Sequence, residues 1–70
     1  MTQEEKTQVN EMLETLDECL ENVSRWNSTA MWSEIESFRN DLENALLRDE
    51  ITGLDFWQSQ TEQYAEIAGI

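Results

Sequence analysis

Apolar residues recur in alternating steps of three and four from Val9 to Trp26: Val9, Met12, Leu16, Cys19, Val23 and Trp26, with Leu13 and Leu20 alongside. A helix has 3.6 residues per turn, so this rhythm collects them on one stripe. The opposite face takes Glu4, Glu11, Glu14, Glu18 and Glu21 at the same spacing, with Asp17 beside them. The pattern therefore predicts a long helix with an apolar seam on one side and a row of carboxylates on the other. Thr2 followed by Glu5 is a capping-box pair and sets the start at about residue 2, with the helix running to about residue 26. Asn27-Ser28-Thr29 clusters three residues that prefer caps and turns, which places a break there.

The rhythm resumes with Met31, Ile35, Phe38, Leu42 and Ala45, flanked by Trp32 and Leu46, and predicts a second helix over about 29–49. Leu47 falls off that stripe and is expected at the surface. Ile51-Thr52-Gly53-Leu54-Asp55-Phe56 reads as a new helix start, with Thr52 as cap, Asp55 three positions on, and Ile51 and Phe56 as a hydrophobic staple. Leu54, Trp57, Thr61, Tyr64 and Ala68 form the stripe of a third helix over about 53–68. Short connections favour antiparallel neighbours. The expected fold is all-α: a small three-helix bundle made of a long helical hairpin and a shorter third helix, in one acidic domain spanning 1–70. Two or three heptads broken by loops suit a bundle better than a coiled coil.

Composition sharpens this picture. At 70 residues the chain is near the lower limit of a self-sufficient core, which leaves room for a partner or for self-association into a homo-oligomer. Its 39% hydrophobic content, with three Trp, is too apolar for a disordered acidic tail. Sixteen Asp and Glu against four Lys and Arg give a net charge of −12. Such a surface repels nucleic acid and anionic membranes and attracts basic proteins. No apolar run marks a signal peptide or a membrane span, so a cytoplasmic location is expected.

The catalytic inventory is nearly empty. Without His, the usual general base and the Ser–His and Cys–His pairs are missing, and one Cys cannot close a zinc site. There is no phosphate loop, and Asp49, Thr52, Gly53 and Asp55 do not match the ligand spacing of a helix-loop-helix calcium site. Cys19 lies on the apolar stripe, where a small buried hydrophobe is expected rather than a reactive thiol. No enzyme, cofactor or metal is expected.

Two surfaces remain as candidate partner-binding sites. The first is the row Glu11, Glu14, Asp17, Glu18 and Glu21, whose members repel one another at about 0.2–0.5 kcal/mol per i,i+4 pair. Successive carboxylates advance about 4.5–6 Å along the axis, on the scale of the ~3.4 Å phosphate step of a DNA strand. The second is aromatic: Trp32 and Trp57, with Phe56, near the ends of the later helices, where an exposed Trp would be a binding hot spot. The favoured function is a small acidic inhibitor that blocks a basic, nucleic-acid-handling partner in the manner of a nucleic-acid mimic. Size, charge and helicity offer an analogy with the anti-defence factors of phage and mobile elements, but no family motif is present. The alternative is a helical adaptor, chaperone or antitoxin-like subunit docking through an apolar helix face, its acidity serving only solubility.

Overall fold

In the computed structural model, which describes residues 2–26 and 29–70, Thr2 opens the first helix as its sequence pair with Glu5 demands. The Glu5 N–H donates to Thr2 Oγ1 at 3.2 Å and the Thr2 N–H donates to Glu5 Oε1 at 3.0 Å, a complete capping box. Helix α1 runs Gln3–Ser24, α2 Thr29–Arg48 and α3 Leu54–Ala68. The three helices form a small bundle in which α1 packs on both α2 and α3. Asn27 and Ser28, where the sequence places the first turn, lie outside the described residues. No strand occurs among those described.

Side-chain pairings set the helix directions. Gln8 bonds Gln58, and Asn22 donates to the Ala68 carbonyl, so α1 and α3 run parallel. Tyr64 bonds Glu34 while Trp57 lies beside Ala45, so α2 and α3 run antiparallel. Val9, Met12, Leu13, Leu16, Cys19 and Val23 of α1 are buried, against Ile35 and Leu42 of α2 and Tyr64 and Ala68 of α3. Burying side chains of this size is worth about 1.5–3 kcal/mol each before chain entropy is subtracted. Thr61, the polar member of the α3 stripe, is buried and donates to the Trp57 carbonyl at 2.8 Å, so its hydroxyl enters the core satisfied.

Two expectations fail at helix ends. Trp26 does not continue the seam: α1 ends at Ser24, the Trp26 N–H turns back to the Val23 carbonyl at 3.0 Å, and the indole is 49% exposed. The start of α3 shifts by one residue. Gly53, not Thr52, is the N-cap, with φ of +67°, and it gives no side-chain cap bond. Trp57 thereby occupies the fourth helical position and its indole N–H donates to the Thr52 carbonyl at 3.2 Å. Phe56 is rotated out of the expected staple and is 62% exposed. Both α2 and α3 end in paired backbone bonds around a left-handed residue: Asp49 to Leu46 and Glu50 to Ala45, then Gly69 to Glu66 and Ile70 to Ala65. Asp49 takes that role at φ +56°, a conformation that Asp tolerates better than most side chains.

Candidate functional site

The outward face of α1 is built by subtraction, since the residues that its core stripe leaves over are mostly carboxylates. Glu4, Glu11, Glu14, Glu18 and Glu21 are all exposed. From Glu11 onward, three- and four-residue steps draw them into a ribbon along the helix, with Glu4 two turns before it. None of Glu11, Glu14 and Glu18 has an ion-pair partner among the described residues. Glu21 meets Arg25 at 3.5 Å, one turn on, with both side chains about 70% exposed to water. A pair so exposed contributes little and is screened by salt.

Asp17 stands apart from this ribbon. It projects toward α2, where Arg39 Nε donates to its Oδ1 at 2.9 Å. The same guanidinium donates to Glu43 on its own helix. Partial burial disfavours the Arg39 charge, but the Asp17 hydrogen bond and the adjacent Asp17 and Glu43 charges outweigh it and raise its pKa. Asp17 therefore ties α1 to α2, sharing one guanidinium with Glu43 while its side chain stays 56% exposed. The sequence alone does not reveal Arg39, because the residue that pairs with it is 22 positions away on another helix.

The two aromatic candidates do not form one cluster. Trp32 and Trp57 stand in the first turns of antiparallel helices and lie toward opposite ends of the bundle. Both are half-buried. Trp57 belongs to an aromatic seam between α2 and α3: its ring centroid is 5.1 Å from that of Phe38, which lies 5.3 Å from Tyr64. Phe56 meets Trp57 edge-on at 6.1 Å. The exposed aromatics are Trp26, which the apolar rhythm assigns to the α1 seam, and Phe56, which the expected staple pairs with Ile51. For Phe56 a signal was present: it shares a second three-four stripe with Gln60, Gln63 and Ile67, disguised by the two glutamines.

The apolar stripe of α1 is consumed in the core and offers no docking face. Cys19 is buried within it, and burial, followed by the Glu18 charge, pushes its thiol pKa up. A shallow recess of about 520 Å³ flanks the carboxylate ribbon, lined by Glu4, Gln8, Glu11 and Gln58 among others. It presents carboxylates, amides and the Thr7 hydroxyl, which donates to the Gln3 carbonyl at 3.0 Å. Among the described residues no group of His, Cys, Asp and Glu is placed to hold a metal ion, and no helix is long and apolar enough to cross a membrane. Comparison with models of protein families, with curated proteins and with solved structures returned no match to this chain.

Proposed function

We propose that this chain is a small acidic inhibitor that binds a basic, nucleic-acid-handling protein and occupies its nucleic-acid groove with the outward face of α1. The observation that carries this reading is the ribbon Glu11, Glu14, Glu18 and Glu21 on one helix face, of which only Glu21 meets a base among the described residues, in an exposed pair with Arg25. A surface kept only for solubility would gain from interspersed bases, because like charges one turn apart destabilise a helix. Here Arg39 is spent on the α1–α2 seam instead. Rigid placement of the charges matters, since a flexible acidic tail would have to be ordered on binding. Asp17, on the flank of the ribbon, also ties α1 to α2 through Arg39. The reading extends to an anti-defence role of the kind served by compact acidic factors of phage and mobile elements.

The test is competition. A protein captured by this chain is expected to bind DNA on its own and to release it as the chain is added, with affinity falling steeply as salt rises. Changing Glu14, Glu18 and Glu21 together to Gln should weaken capture at least tenfold, or ~1.4 kcal/mol. The free protein should lose no stability, since the change removes repulsion between neighbours. Simultaneous binding of DNA and this chain, or full affinity of the triple variant, would refute the proposal.

A further inference from the structure

The back of α3 carries a second amphipathic face. Phe56, Gln60, Gln63 and Ile67 fall at i, i+4, i+7 and i+11, on the side of α3 away from α1. Phe56 is 62% and Ile67 47% exposed. Beside this stripe runs the aromatic seam, where Phe38 and Trp57 are only half-buried. α1 covers α2 and α3 from the opposite side. The α2–α3 groove is thus an aromatic-floored channel that no helix among the described residues covers, in the position of a fourth helix of a bundle.

The rim of the groove is charged in an ordered way. Glu34, Asp41 and Arg48 of α2 stand at heptad spacing, about 10.5 Å apart along the axis. Glu34 accepts the Tyr64 hydroxyl at 3.4 Å, which Gln60 also reaches, so it sits at the seam. Asp41 and Arg48 line a recess of about 440 Å³ with Ala45, Glu50 and Trp57. Glu34 and Asp41 make one half of this rim acidic, and Arg48 adds a base beside Glu50 at the other end.

We propose that the α2–α3 groove holds an amphipathic helix of a partner, with its apolar face over Phe56, Trp57 and Ile67 and basic residues two turns apart facing Glu34 and Asp41. Charge decides the occupant. A second copy of this chain would set one −12 surface against another and bring its own Glu34 and Asp41 to the same rim. A helix with Lys or Arg at those positions pairs with both carboxylates while its apolar side chains cover the exposed rings. Aromatic side chains at the centre of a groove with polar residues around them are the usual anchors of such contacts. This surface is distinct from the α1 ribbon in position and chemistry, so either can fail without the other.

The experiment uses the full chain, isotope-labelled, and a synthetic amphipathic helix of Leu and Lys as probe. Indole N–H resonances assigned with W26F and W32F variants identify that of Trp57. The peptide is expected to shift the Trp57 indole and the amides of Phe56, Tyr64 and Ile67, leaving those of Glu14 and Glu18 in place. A double change of Phe56→Gln and Ile67→Gln should weaken binding at least tenfold with the melting temperature unchanged, because both side chains are already exposed. The E14Q/E18Q/E21Q variant should bind the peptide as the parent does. A Lys peptide of equal charge without Leu should leave the Trp57 indole unmoved. Equal affinity of the Phe56/Ile67 variant, or shifts confined to the α1 ribbon, would overturn the proposal. So would a parent dimer in sedimentation that the same variant dissolves, which would assign the groove to a second copy.

Discussion

Replacing Arg39 by Met keeps the length of the stem and removes the guanidinium that ties Asp17 of α1 to Glu43 of α2. The Arg39 side chain is 24% exposed, Asp17 56% and Glu43 42%, so the carboxylates are about half solvated and the pairs rank well below buried ones. The Glu43 contact is an i,i+4 pair worth about 0.3–0.5 kcal/mol, and the interhelical Asp17 contact is set at about 0.5–1 kcal/mol after solvent screening. Removing both should cost about 1–1.5 kcal/mol, a visible share of the ~3.5–10 kcal/mol that a domain of this length possesses. Since 1 kcal/mol moves the midpoint of a small domain by about 4–8 °C, helical circular dichroism should show melting lowered by about 4–12 °C. A double-mutant cycle with Asp17→Asn isolates the interhelical part, and the coupling should shrink as salt rises. For binding, Asp17→Asn should weaken affinity for a basic partner less than Glu14→Gln does, because Arg39 already engages one of its oxygens. A coupling indistinguishable from zero would refute the reasoning and return Asp17 to the free carboxylates.

Leu16→Asp buries an unpaired charge at a fully enclosed core position and should unfold the chain, whereas Leu47→Asp, at a side chain 76% exposed, should change stability by no more than about 0.5 kcal/mol. Equal melting of the two would show that the α1 stripe is not the core. Moving from pH 7.5 toward 5 brings the chain nearer its isoelectric point of about 4.1 and should raise the melting temperature by relieving self-repulsion. Further acid should reverse the trend. The backbone N–H and then the hydroxyl of Thr2 hold the Glu5 carboxyl below its ordinary 4.5, so its stabilisation is complete above that value and lost as pH falls through the depressed native one. Stability rising monotonically into strong acid would contradict the capping box. Tyr64, the only tyrosine, has its hydroxyl pushed above the ordinary 10 by burial and then by the Glu34 charge. Its neutral form is favoured by the fold, so that stabilisation holds below pH 10 and is lost as pH rises through the native value. Ultraviolet titration should show ionisation above 10, moved downward by Glu34→Gln; ionisation at 10 in the parent would place the hydroxyl in water.

Periodicity made the fold legible, because burial of one face is what the three-four rhythm encodes. Val9, Met12, Leu16, Cys19 and Val23 are enclosed as their spacing requires, and Thr2 with Glu5 marks the first helix start to within a residue. The ends after Ser24 and before Leu54 were harder to read. Trp26 continues the pattern of α1 but lies beyond its last turn, and a one-residue shift of the cap from Thr52 to Gly53 exchanges Phe56 for Trp57 at the staple position. Local pattern does not decide such contests, since the choice depends on which ring the α2–α3 seam admits. The carboxylate ribbon was legible for the same reason as the core: it is the complement of the stripe. The role of Asp17 was not, because a salt bridge between helices leaves no trace in the spacing of either one.

The sharing of α1 between two interfaces also orders events in time. α1 and α2 are neighbours in sequence and can close over a short turn, whereas α3 reaches α1 only after the whole of α2 has been traversed, and more distant closures are slower. Amides in the middle of α1, which packs on both other helices, should therefore be among the slowest to exchange. The helix that bears Phe56 and Ile67 is the shortest of the three, at 15 residues. Anything that grips that face would register first as slowed hydrogen exchange along α3, before any change in the exchange of α1.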